Sequence, residues 1–114
     1  NPEYAKAPKE SYDQLATAID RSSIQAISIE DAHRHNNLSM LEKFTHTTVI
    51  FGVVAIAKSR VETVQEIIDR LTAALNHIDA DRLIAAPDCG LGILGRDLAM
   101  AKLVNMCAAA RSVG

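Results

Sequence analysis

Ile84-Ala85-Ala86-Pro87-Asp88-Cys89-Gly90-Leu91-Gly92-Ile93-Leu94-Gly95-Arg96-Asp97 is the stretch on which the reading of this chain turns. An apolar run over residues 83–86 meets Pro87 and a thiol follows at Cys89. Three glycines then lead into an amphipathic run over 96–113. Proline cannot donate to a sheet ladder, and glycine supplies the backbone angles of tight turns. The local expectation is strand, loop, helix, with the strand broken at Pro87 and Cys89 just past its C-terminal end. In parallel α/β folds that is the end where ligands bind.

The same glycines, Gly90, Gly92 and Gly95, spell G-x-G-x-x-G between a strand and a helix. A dinucleotide site also needs a strand after the helix, ending in an acidic residue about twenty positions on. The helix is barely finished at Gly114. A nucleotide-binding α/β module is therefore the weaker alternative.

Upstream, residues 49–57 are apolar throughout and rich in β-branched side chains, which predicts a strand buried on both faces. Residues 24–29 read as another strand, closed by Glu30 and Asp31. Helices are expected between and around these strands. One spans 12–20 behind the capping-box pattern Ser11-Tyr12-Asp13-Gln14, and a short one carries Leu38, Leu41 and Phe44 at helical spacing. The clearest opens at a second such pattern, Ser59-Arg60-Val61-Glu62. Val61, Val64, Ile67, Ile68, Leu71, Ala74, Leu75 and Ile78 form its stripe. Strict alternation of helix and strand implies a parallel sheet with right-handed crossovers. Three parallel strands leave two open edges, so residues 1–114 read as part of something larger.

Composition narrows the function classes. With 48% hydrophobic residues the chain can bury a core, and a net charge of −2 provides no basic field for nucleic acid. Two cysteines make no secreted disulfide framework, and the longest apolar run is too short to span a bilayer. The start, Asn1-Pro2-Glu3-Tyr4, has neither an initiator Met nor a signal-peptide pattern, so a truncated or processed cytoplasmic enzyme piece is the default expectation.

If the strands are parallel, their C-terminal ends share one rim. It receives Glu30 from the first strand, Lys58 and Ser59 from the second, and Asp88 and Cys89 from the third. A carboxylate and a thiolate are both good zinc ligands, but two ligands do not make a site. Plainer roles stand beside these: Glu30 as a loop cap, Lys58 snorkelling, and His33 and His35 as solvated loop residues. Cys107 is expected to be a small buried hydrophobe, on the apolar face of the last helix with Leu103.

Ile27-Ser28-Ile29-Glu30, Gly52-Val53 leading into Val61-Glu62-Thr63, and Pro87-Asp88-Cys89-Gly90-Leu91 together resemble the C-terminal catalytic barrel of the cobalamin-independent methionine synthase family. Ala86 to Gly92, with Arg96, Lys102-Leu103 and Met106, looks most like its shorter zinc-dependent thiol-alkylating paralogues, as does the loop Asp31-Ala32-His33-Arg34-His35. The resemblance implies a (β/α)8 barrel of which this chain supplies the last three strands and their helices. It implies zinc-dependent methyl or alkyl transfer to a homocysteine-like thiol, with Glu30 and Cys89 as metal ligands. Arg34, His33, Lys58 and Asp88 would contact substrate. The family's remaining ligands, a His-x-Cys pair, would lie before Asn1. Methionine synthases of the family carry an Asp and a His in the corresponding strand, the His serving as proton donor. Those positions here are Ala55 and Ala57, so the resemblance implies folate-dependent methyl transfer only if Lys58 or His33 stands in. The whole protein is then expected to be a methyltransferase. The 114-residue chain alone would be inactive, and would self-associate or pair with the rest of the barrel.

Overall fold

The apolar runs resolve into three parallel strands in spatial order: β1 (Ala26–Ile29), β2 (Thr48–Val54) and β3 (Leu83–Pro87). They alternate with α1 (Glu10–Arg21), α2 (Val64–Leu75) and α3 (Arg96–Ser112), and with 3-10 turns at Leu38–Lys43 and Ala80–Arg82. The structure is a computed structural model that describes residues 10–113.

Side chains alternate across a sheet, so register decides which residues share a face. Ile29, Phe51 and Ala85 align on the outer face, which packs against Leu38, Leu41, Ile67, Leu71 and Ala109. Ser28, Ile50 and Ile84 align on the inner face, where Ser28 is exposed and Ile84 is 50% exposed. The helices therefore cover one side of the sheet.

Several local expectations are corrected. The capping box of α2 is Thr63 with Glu66: Thr63 Oγ1 accepts from the Glu66 N–H at 3.1 Å, and Glu66 Oε2 accepts from the Thr63 N–H at 2.7 Å. The pattern at Ser59 lies one turn early because Glu62 is engaged elsewhere, accepting from the Ala55 N–H and from Lys102. Ser11 lies inside α1 rather than ahead of it. Leu38, Leu41 and Phe44 are all buried, but the segment is a 3-10 turn, in which residues three apart eclipse.

Pro87 ends β3 as a paired residue opposite Val54, and the Asp88 N–H donates to the Val54 carbonyl at 2.9 Å. The missing proline donor thus costs the ladder little. Cys107 is exposed rather than buried. The inward face of α3 runs through Lys102, Met106 and Ala109, which places residue 107 about 100° further round the helix. Gly90, Gly92 and Gly95 show no left-handed φ, and a Cβ at any of them would meet no described residue within 4 Å. Among the described residues neither a left-handed turn nor close packing calls for glycine at these three positions.

Candidate functional site

The three strands end together, and one carboxylate ties their loops. The buried Asp88 side chain follows β3 directly. Its Oδ1 accepts from the backbone N–H groups of Asp31 (3.1 Å) and Ala32 (3.0 Å), which follow β1. Its Oδ2 accepts from the His33 backbone N–H at 3.0 Å and lies 2.7 Å from His33 Nδ1. Across the ring, His33 Nε2 accepts from the N–H groups of Ile56 (3.3 Å) and Ala57 (3.0 Å), beyond β2.

Gly52 makes this possible. A Cβ at that position would lie 2.0 Å from Asp88 Oδ1 and 2.9 Å from its Cα. Glycine in a strand interior often marks such a close approach. The β2–β3 register shifts between Gly52 and Val54 at the same place. That shift lets β3 end where its carboxylate can cross to the β1 loop.

A second network holds the other side of the β2 loop. Lys102 is 0% exposed, and its Nζ donates to the carbonyls of Ala55 (3.0 Å) and Arg60 (2.7 Å) and to Glu62 Oε1 (2.9 Å). Glu62 Oε2 accepts from the Ala55 N–H at 2.7 Å, so the buried ammonium has a carboxylate and two carbonyls around it. A buried charge is tolerable only with such full pairing. Asp31, also buried, receives Arg70 Nε at 2.6 Å and Nη2 at 2.9 Å, a bidentate pair that fastens the β1 loop to α2.

The residues expected at the rim sort into two environments. Glu30, His33 and Asp88 each bring a donor atom within 4.8 Å of the others. Glu30 is half-buried at the end of β1, and Cys89 is exposed beside Asp88, outside that trio. Arg34 is half-buried. Lys58 is exposed and lines a cleft of about 420 Å³ between the β1 loop and α2, together with Asp31, His35, Arg60 and Arg70. Val53, Ala55, Ile67 and Ala73 give that cleft its apolar lining. Ala55 is buried, with its N–H and carbonyl both held by the Glu62–Lys102 network. Arg60 hydrogen-bonds Glu66 at 3.0 Å and, with the Thr63 N–H, holds that carboxyl below its ordinary pKa.

His33 is thus a half-buried strut rather than a solvated loop residue. The bracing contacts of Lys102, Glu62 and Arg70 have no counterpart in the expectations from sequence. One signal was available for Lys102: it falls on the buried phase of α3, where a lysine requires a partner. A half-buried carboxylate and an exposed thiol at one rim suit a borderline-soft divalent cation such as zinc, which takes both oxygen and sulfur ligands.

Comparison with known proteins bears on the family and the fold. Residues 9–112 match the family described as "Cobalamin-independent synthase, Catalytic domain". A methionine synthase from Thermococcus kodakarensis is 38% identical over 96 residues, covering 83% of this chain and 29% of the relative. A 5-methyltetrahydropteroyltriglutamate–homocysteine methyltransferase from Listeria innocua is 35% identical over 104 residues, covering 90% of this chain and 14% of the relative. A solved structure of a B12-independent methionine synthase from Shewanella sp. W3-18-1, in complex with selenomethionine, superposes with a TM-score of 0.84 at 30% identity. That match covers 89% of this chain and 30% of the other. The chain spans less than a third of the length of each of these relatives.

Proposed function

Since the chain belongs to the cobalamin-independent synthase catalytic-domain family, we propose that it forms the last three strand–helix units of a (β/α)8 barrel. The whole polypeptide would transfer a methyl or alkyl group to a small-molecule thiol of the homocysteine type. The observation that carries this reading is the shared rim, where β1 runs into Glu30 and β3 into Asp88-Cys89. Glu30 and Cys89 would hold zinc with ligands from elsewhere in the polypeptide, since zinc sites usually take three or four protein ligands. Zinc, when bound, keeps a thiol as its thiolate at neutral pH.

The chain's own residues supply the frame. Asp88 and the Asp31–Arg70 pair fix the loops that carry Glu30 and Cys89. Arg34 and Lys58 would meet an anionic group of a substrate, while His33 and Asp88 spend their polar atoms on each other and on backbone. Ala55 and Ala57 offer no proton. General acid catalysis is typically worth about 100- to 10,000-fold, so an alkyl donor whose leaving group departs without protonation fits this chain best. By itself the chain holds two of the ligands and one bare sheet face. It is then inactive alone, associating with the rest of a barrel in the cytoplasm.

Metal analysis of the full-length polypeptide tests the reading. One zinc per polypeptide is expected, with loss of tight binding in Cys89→Ser and in Glu30→Gln. Stoichiometric zinc that survives Cys89→Ser at unchanged affinity would overturn it.

A further inference from the structure

The His33 ring is held on both sides by partners of opposite character. Asp88 Oδ2, an acceptor, lies 2.7 Å from Nδ1. Two backbone N–H groups, which can only donate, point at Nε2 from Ile56 and Ala57. A proton on Nε2 would face both donors, so the ring's proton belongs on Nδ1 and its lone pair on Nε2. The lone pair is then already used by backbone, and the N–H is used by a buried carboxylate.

From this we infer that His33 is a positioning residue, fixed as the Nδ1–H tautomer. It links the loop after β2 to the Asp88-Cys89 turn after β3. It donates no proton to substrate and does not ligate a metal, although its donor atoms lie within 4.8 Å of those of Glu30 and Asp88. The inference deepens the reading proposed above and rests on it for the rim's function. Ala57 has no polar side chain to place at the rim, but its N–H donates to a histidine from the neighbouring loop. The Lys102–Glu62 network grips residues 55 and 60 from the other side, so the loop is held at both flanks.

Two partial mimics separate the ring's two jobs. In His33→Asn the amide N–H₂ takes the place of Nδ1 and can still donate to Asp88, but nothing reaches Ala57. In His33→Gln the amide oxygen takes the place of Nε2 and can still accept from Ala57, while the side-chain contact to Asp88 is lost and the backbone one remains.

The experiment is nitrogen-detected histidine NMR of the full chain under reducing conditions, before and after adding zinc alone. Amide exchange is then compared among the wild type and the two variants. Expected are a protonated Nδ1 and a bare Nε2 for His33, both unmoved by zinc. Exchange at Ala57 should accelerate about tenfold in His33→Asn, the scale of one lost hydrogen bond, and be largely restored in His33→Gln. A proton on Nε2, a zinc-shifted ring nitrogen, or equal acceleration in both variants would overturn the inference. Failure of zinc binding to depend on Cys89 would instead count against the proposed function, because the zinc-free tautomer is read without it.

Discussion

The two faces of the sheet are made from the same three strands and could hardly differ more. On the outer face Ile29, Val49 and Phe51 are at most 1% exposed under the helices. On the inner face Ala26 and Ser28 are exposed and Ile84 is 50% exposed. The outer face carries stability: apolar area is removed from water there, at roughly 25 cal/mol per Å². The inner face and its rim carry the groups with chemistry. Separating the two roles lets the rim hold awkward groups, a buried carboxylate and a lysine among them, on a scaffold stabilised elsewhere.

The contrast predicts a graded series of substitutions. Phe51→Ala should cost about 3–5 kcal/mol in chemical denaturation, because the cavity lies in the middle of the covered face. Ile84→Ala, on the bare face of the same sheet, should stay within about 0.5 kcal/mol in this chain. In a full-length polypeptide with a closed barrel, the same Ile84 change should become as costly as a core truncation, about 2–5 kcal/mol. Equal effects of Phe51→Ala and Ile84→Ala in the present chain would break the comparison outright.

Lys102→Ala comes next, at about 3–5 kcal/mol, since it leaves Glu62 buried without its cation. Gly52→Ala should cost about 1–3 kcal/mol by overpacking. It should also displace Asp88, so faster exchange at Asp31, Ala32 and His33 is its signature. The smallest effect is electrostatic, at the opposite end of the sheet from the rim. Burial raises the Asp20 carboxyl pKa, but hydrogen bonds from His46, Thr47 and Thr45 outweigh it and hold the group well below the ordinary range. A carboxyl depressed in the folded state adds stability above its unfolded pKa of about 3.9 and loses it as pH falls further. Melting curves of the wild type and Asp20→Asn should therefore differ at neutral pH and converge in acid. A gap that widens in acid would contradict the assignment.

The framework was legible in the sequence because it rests on periodicity. The apolar run over 49–57 announced β2, but the strand ends at Val54, residues 55–57 belong to the loop after it, and Ile50 on the inner face is only half-buried. The stripe through Ile67, Leu71 and Ala74 packs on the outer face as its spacing implied. The placement of Glu30 and Asp88-Cys89 at one rim followed from the parallel order alone. What stayed hidden depends on contacts between distant segments. Nothing near His33 announces that the N–H groups of Ile56 and Ala57 will donate to its ring. The Ser59–Glu62 pattern imitates a helix start while Glu62 answers Lys102, forty residues on. Cys107 was misplaced because a helix's buried phase depends on its neighbours as well as its own apolar residues. Gly52 did carry a readable sign, an isolated glycine within an apolar strand, whose cause became visible only once Asp88 was seen against it.

The most direct test is zinc-edge X-ray absorption on the full-length polypeptide, comparing the wild type with Cys89→Ser. The expected result is a first shell of mixed sulfur and lighter ligands, with one zinc–sulfur path of about 2.3 Å lost in the variant. An unchanged sulfur shell in Cys89→Ser would show that the thiol beside Asp88 does not hold the metal, and would contradict the shared-rim site.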